Sequence, residues 1–126
     1  MRLVIVRHAE AAPGDPDELR SLTPEGREQA RAVARELRER GIDADAVLTS
    51  PLLRARETAA ELGLGEPEIE DKLAPGATPE DVRDAASGRG ETVIVVGHQP
   101  DCSEAVLALA GREVSFPPAG YHELDL

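Results

Sequence analysis

Apolar residues along the chain fall into short unbroken runs separated by longer stripes of helical period. Leu3 to Val6, Ala46 to Thr49 and Thr92 to Val96 are compact and rich in Val, Ile and Leu. The first and last carry no polar alternation, the pattern of interior strands covered on both faces. Between them lie helical stretches. In LTPEGREQARAVARELRERG, Thr23 is placed to cap, Pro24 suits the first turn and Gly41 suits the end. Ala30, Val33, Ala34 and Leu37 then form one inward stripe, which leaves Arg27, Arg31, Arg35 and Arg38 mostly toward water.

A second helix is expected from Ser50-Pro51 to about Leu62, with Leu52, Leu53, Ala59 and Leu62 inward. A third starts at Thr78-Pro79-Glu80-Asp81 and stops near Gly88, and a fourth follows Pro100 to Ala110, closed by Gly111. A short strand is expected near Ile69 and an edge strand over Tyr121 to Leu126. Residues 11 to 21 read as a long loop rich in Pro, Gly and Asp, and Arg112 to Gly120 show no clear period.

Strands alternating with helices indicate an α/β protein, a three-layer α/β/α sandwich on a mainly parallel central sheet. In such folds ligands gather beyond the carboxyl ends of the strands. Three strands here end on polar groups: Arg7-His8, Ser50 with Arg54 in the turn beyond, and Gly97-His98. A strand that runs into an arginine and a histidine must offer them water or a ligand, because burying either unpaired is costly. The three ends are expected to meet.

Composition narrows what they meet around. The 126 residues fit one domain, 1 to 126, and the 2% aromatic content leaves a core of Val, Leu, Ile and Ala. No apolar run approaches the roughly 20 residues of a bilayer span, and no signal-like stretch opens the chain, so a cytoplasmic protein is expected. The lone Cys102 excludes an internal disulfide and a thiolate zinc cluster, and reads as a helix-packing residue. The net charge of −11 argues against a nucleic-acid or anionic-membrane surface. An anion site must therefore be local.

Two histidines and two arginines at one sheet edge suit a phosphoryl group. Each guanidinium can bond two phosphoryl oxygens, and a neutral imidazole can attack phosphorus. Arg7 and Arg54 close to His8 would disfavour a third positive charge and keep that ring neutral. His98 could then donate to an oxygen as charge develops. His122 and Arg56 read as structural or solvated surface residues.

The segments VRHAEA, TSPLLRARETA and VVGHQP resemble, in order and context, the three signatures of the histidine phosphatase superfamily, whose fold is phosphoglycerate mutase-like. Ala9 stands where the first signature usually has Gly. The short length and the LTPEGREQA segment are similar to its SixA-like phosphohistidine phosphatases, over residues 1 to about 110. The resemblance implies that His8 is a transiently phosphorylated nucleophile, that Arg7 and Arg54 clamp phosphate, that His98 is the second pocket histidine and that Arg20 is a further pocket arginine. It implies no metal and no organic cofactor.

Many relatives carry a Glu or Asp general acid after the middle signature or directly after the late histidine. Here those places read LAPGATPED and His98-Gln99-Pro100. An alkoxide leaving group needs a proton, whereas a phosphorylated imidazole can be protonated from solvent and leave uncharged. The expected activity is therefore hydrolysis of protein phosphohistidine, with a phosphorylated histidine-phosphotransfer or similar signalling protein as partner. The alternatives are a broad small-molecule phosphomonoesterase and a noncatalytic phosphate- or phosphoprotein-binding module. Glu10, Asp17, Glu18 and Asp101 stay open as sources of the acid.

Overall fold

The computed structural model describes residues 1–126. Strands β1 (Arg2–Arg7), β2 (Ala46–Thr49), β3 (Pro67–Ile69), β4 (Thr92–Gly97) and β5 (Tyr121–Asp125) form one sheet in the order β3-β2-β4-β1-β5. The first four are parallel, and β5 closes one edge antiparallel to β1. Helices α1 (Pro24–Glu39), α2 (Leu53–Leu62), α3 (Pro79–Ala86) and α4 (Asp101–Ala110) cover both faces.

The unbroken apolar runs of β1 and β4 are explained by these two cores. Leu3, Ile5, Val93 and Val95 pack with Ala85 and Ala86 of α3 and Ala105 and Val106 of α4. Val4, Val6, Ile94 and Val96 point the other way, onto Ala34 and Leu37 of α1 and Ala55, Ala59 and Leu62 of α2. The period of two along each strand divides its residues between the layers, so neither face can be polar.

Helix ends follow the local chemistry. The Thr23 hydroxyl accepts from Gly26 N at 2.9 Å, and Thr78 with Asp81 forms a reciprocal capping box. α4 ends at Gly111 with φ 68°, a left-handed turn that suits glycine. Two expectations need correction. Arg27 is less open to water than expected, half-buried between Glu57 and Glu61 of α2. Leu53 is only half-buried, and the inward place in that turn is taken by Arg54, 7% exposed. The segment 11–21 contains a short 3-10 turn, Asp17–Leu19, and is tied back on itself by an Ala11–Leu22 bridge. No helix is long and apolar enough to cross a membrane.

The register positions everything that follows. Val6 of β1 and Thr49 of β2 both pair with Val96 of β4. The pairing continues one step beyond the strands, where His8 N donates to Gly97 O and Ser50 N to Val96 O, each at 3.0 Å. His8, His98 and Ser50 consequently emerge side by side.

The turn after His8 is fixed by close approach to α1. Thr23 N donates to Glu10 O at 3.1 Å, and a Cβ on Gly26 would overlap that same carbonyl. Gly26→Ala is therefore expected to destabilise the protein by about 1–3 kcal/mol through this overlap. The midpoint of urea unfolding measures it.

Candidate active site

The imidazoles of His8 and His98 lie with ring centroids 5.3 Å apart, tilted by 56°. His8 Nδ1 is 2.7 Å from Ala9 O. A carbonyl can only accept, so Nδ1 carries the proton and Nε2 keeps its lone pair. On His98, Nε2 is 2.7 Å from Ser50 Oγ, which also accepts from Leu52 N at 3.2 Å. The ring of His98 is thus held by the Ser50 hydroxyl on its Nε2 side.

Three arginines surround the pair. Arg7 donates from Nη1 to Phe116 O at 2.9 Å, and Arg54 donates from Nη1 to Asp17 O at 2.9 Å and from Nη2 to Asp17 Oδ2 at 3.2 Å. Arg20 donates from Nε to Ala12 O at 2.9 Å and from Nη1 to Asp17 Oδ1 at 3.1 Å. The Nε groups of Arg7 and Arg54 are buried without an acceptor in the protein. Unpaired buried donors are uncommon because each loses its hydration without recompense. Two of them on cations beside two histidines mark a place built for an oxyanion.

Electrostatics keep both rings neutral. His8 is held below its usual range chiefly by burial, with the charges of Arg54, Arg7 and Arg20 adding to it against the Ala9 hydrogen bond. The arginines alone, expected from the sequence to do this, are thus the smaller influence. His98, 4% exposed, is pushed down to about 4 by burial first and then by His8 and Arg54. Asp17 is held down by its hydrogen bond from Arg20 and by Arg54, so it is a carboxylate at neutral pH. A neutral nucleophile, a neutral donor and three fixed cations can take a phosphoryl group and stabilise its equatorial charge.

A family model for the histidine phosphatase superfamily (branch 1) matches residues 3–75, more than half of the chain. The chain belongs to the histidine phosphatase superfamily. The structure of the protein histidine phosphatase SixA complexed with tungstate superposes with a TM-score of 0.89 at 26% identity, covering 100% of this chain and 88% of that one. An uncharacterised protein of Picosynechococcus sp. is 35% identical over 97% of this chain and 78% of its own length. The mitochondrial serine/threonine-protein phosphatase Pgam5 of Drosophila persimilis is 45% identical, over only 45% of this chain and 20% of its own. Family and fold make this histidine phosphatase a SixA-like hydrolase of phosphoryl groups.

All five sequence-predicted residues of the phosphatase come together at one edge. Of the open candidates for a proton donor, Glu10 accepts from Thr23 Oγ1 at 2.9 Å, and Asp101 accepts from Gly76 N and Ala77 N at 2.8 and 3.1 Å. Glu18 is exposed, and only Asp17 bonds the arginines. Cys102 is buried packing, its thiol pushed up to about 12 by burial. Exposed Arg56 makes no ion pair, and His122 stacks edge-on with Phe116. No group of three His, Cys, Asp or Glu side chains gathers as metal ligands do.

Sequence reasoning missed the residues that hold this phosphatase site together. Thr58 Oγ1 accepts from Ala9 N at 2.9 Å and donates to Arg54 O at 2.8 Å, tying the His8 turn to α2. Glu57 Oε1 accepts from Ser21 Oγ and Leu22 N, each at 2.9 Å, and so fixes the segment that carries Arg20. Both sit within one turn of Arg54, which was the available signal. The segment without period supplies the third support: Ala119 N donates to His8 O at 3.2 Å and Gly120 O accepts from Arg7 N at 2.9 Å. Ala119 adopts φ 61° there, a conformation that alanine rarely takes.

Two outcomes are expected. Below the ordinary histidine value of 6.5 the unfolded chain takes up a proton that folded His98 refuses until about 4. Stability should therefore fall as pH drops through that window, by up to roughly 3 kcal/mol, and His98→Asn should flatten this part of the urea-unfolding profile. Thr58→Val leaves Ala9 N–H unpaired in a buried place and should cost about 1–3 kcal/mol, with Thr58→Ser restoring most of it in thermal unfolding.

Proposed function

We propose that the protein removes phosphate from phosphohistidine carried on a protein, through a covalent phosphohistidine on its own His8. His8 Nε2 attacks phosphorus in line with the departing imidazole, and water then cleaves the new P–N bond. Arg7, Arg54 and Arg20 hold the phosphoryl oxygens, and His98 donates to them as charge develops. The substrate is a signalling or phosphotransfer protein of the cytoplasm.

The observation that carries this reading is the pairing of a free His8 Nε2 with a clamp whose only carboxylate, Asp17, is ionised and hydrogen-bonded to two arginines. Such a site can accept a phosphoryl group but offers no proton to an alkoxide, whose departure a positioned acid would assist by roughly 10²–10⁴-fold. Exchange of one P–N bond for another needs no such help. The SixA likeness points the same way, since that protein is a protein histidine phosphatase.

The limited similarity to a serine/threonine-protein phosphatase favours the second reading, hydrolysis of phosphate esters. A noncatalytic binding module needs donors but has no use for a nucleophile with its lone pair kept free.

Acid-labile phosphate should be trapped on the wild-type protein and be absent from His8→Ala. Turnover of a phosphohistidine protein should exceed that of an aryl phosphate. Faster ester hydrolysis would overturn the substrate choice, and normal phosphate binding by His8→Ala with no turnover of any donor by wild type would establish the binding module.

A further inference from the structure

Asp17 is unusual among the charged groups at this edge. Its carboxylate meets Arg20 and Arg54 through one oxygen each, while its side chain remains 57% exposed. The backbone carbonyl of the same residue takes a second donor of Arg54. Its charge is felt at His98, and the turn that carries it packs against α2, whose inward charged group there is Arg54. Glu57, the next carboxylate on that side of α2, is engaged by Ser21, Leu22 and Arg27, and neighbouring Glu18 is exposed. An anion in a phosphate clamp would weaken phosphate binding if its charge met only the phosphoryl group.

We propose that Asp17 is a specificity-determining residue that selects phosphoryl groups carried on imidazole, its exposed carboxylate edge accepting a hydrogen bond from the protonated second nitrogen of the substrate ring. This rests on the phosphohistidine reading above. A phosphohistidine protonated on that nitrogen is a zwitterion, cationic in its ring and anionic in its phosphoryl group. The three arginines complement one end and Asp17 the other.

The steps balance without an external acid. His8 Nε2 forms a bond to phosphorus, the P–N bond of the substrate breaks, and its electron pair stays on the departing nitrogen. The ring, already protonated on the other nitrogen, leaves as neutral imidazole. Water then attacks phosphorus, the P–Nε2 bond returns its pair to His8, whose ring keeps its own Nδ1 proton, and the water oxygen leaves with both its protons as dihydrogen phosphate. An ester lacks the ring cation. Its alkoxide would develop negative charge beside a carboxylate, and the same group that favours imidazole opposes it.

The test compares wild type, Asp17→Asn and Asp17→Glu on a phosphohistidine peptide and on p-nitrophenyl phosphate across the neutral pH range, with inhibition by tungstate reporting the integrity of the clamp. Asp17→Asn should lower the ratio of kcat/KM for the peptide to that for the aryl ester by about tenfold or more, and should move the alkaline limb of the peptide profile about one unit lower, since the substrate ring loses its anionic partner. Asp17→Glu should recover part of both effects. An unchanged ratio and limb, or an equal loss on both substrates with weakened tungstate inhibition, would overturn the inference and leave Asp17 as a mere brace for Arg20 and Arg54. Failure of wild type to turn over the peptide at all would instead remove the phosphohistidine reading, and this inference with it.

Discussion

The site depends on the parallel register of three strands. Val6, Val96 and Thr49 share one level of the sheet, so the residues that follow each of them are neighbours although 40 or more positions separate them in the chain. A slip of one residue between β1 and β4 would exchange the buried and inward sets of β1 between the two cores as well as separate the two histidines. The hydrophobic pattern that stabilises the sheet is thus the same constraint that aligns the imidazoles. Fold and chemistry cannot be varied independently at this edge.

Around that alignment, α2 acts as the common frame. Arg54 projects from its first turn toward His8 and His98, Thr58 holds the His8 turn, and Glu57 holds the segment bearing Arg20. One rigid helix therefore sets the mutual distances of three separate parts of the clamp. The neutral state of the two rings needs no carboxylate partner, because burial supplies most of it. The cationic donors remain fixed in an otherwise acidic protein, with Asp17 the counter-charge at the mouth.

Much of this was legible in the chain. The unalternating runs of β1 and β4, the caps at Thr23 and Thr78 and the glycine at 111 are local signals of strands and helix ends, and they agree with the structure. Arg7, His8 and His98 were legible because each lies within two residues of the end of an apolar run. Arg54 was recognisable through the Ser50-Pro51 turn before it and through the TSPLLRARETA segment that contains it. What was not legible acts through backbone. Residues 116–120 support Arg7 and His8 through Phe116 O, Ala119 N and Gly120 O, groups that every residue type possesses and no composition reveals. Thr58 likewise reads as an ordinary helix residue until Ala9 N is seen against its hydroxyl. Arg27 departs from its helical face for a related reason: period assigns a face to a position, but neighbouring Glu57 and Glu61 decide whether a charge is welcome there.

The clamp also straddles the sheet. Arg7 continues the face of Leu3 and Ile5, toward α3 and α4, whereas Arg54 comes from the opposite layer. A change of volume in either apolar layer can therefore tilt one guanidinium relative to the other without touching an imidazole. Such a fold gives natural variation two independent adjusting screws for the bite of the pocket, one per layer, while the His8 ring stays anchored at the rim where the layers meet.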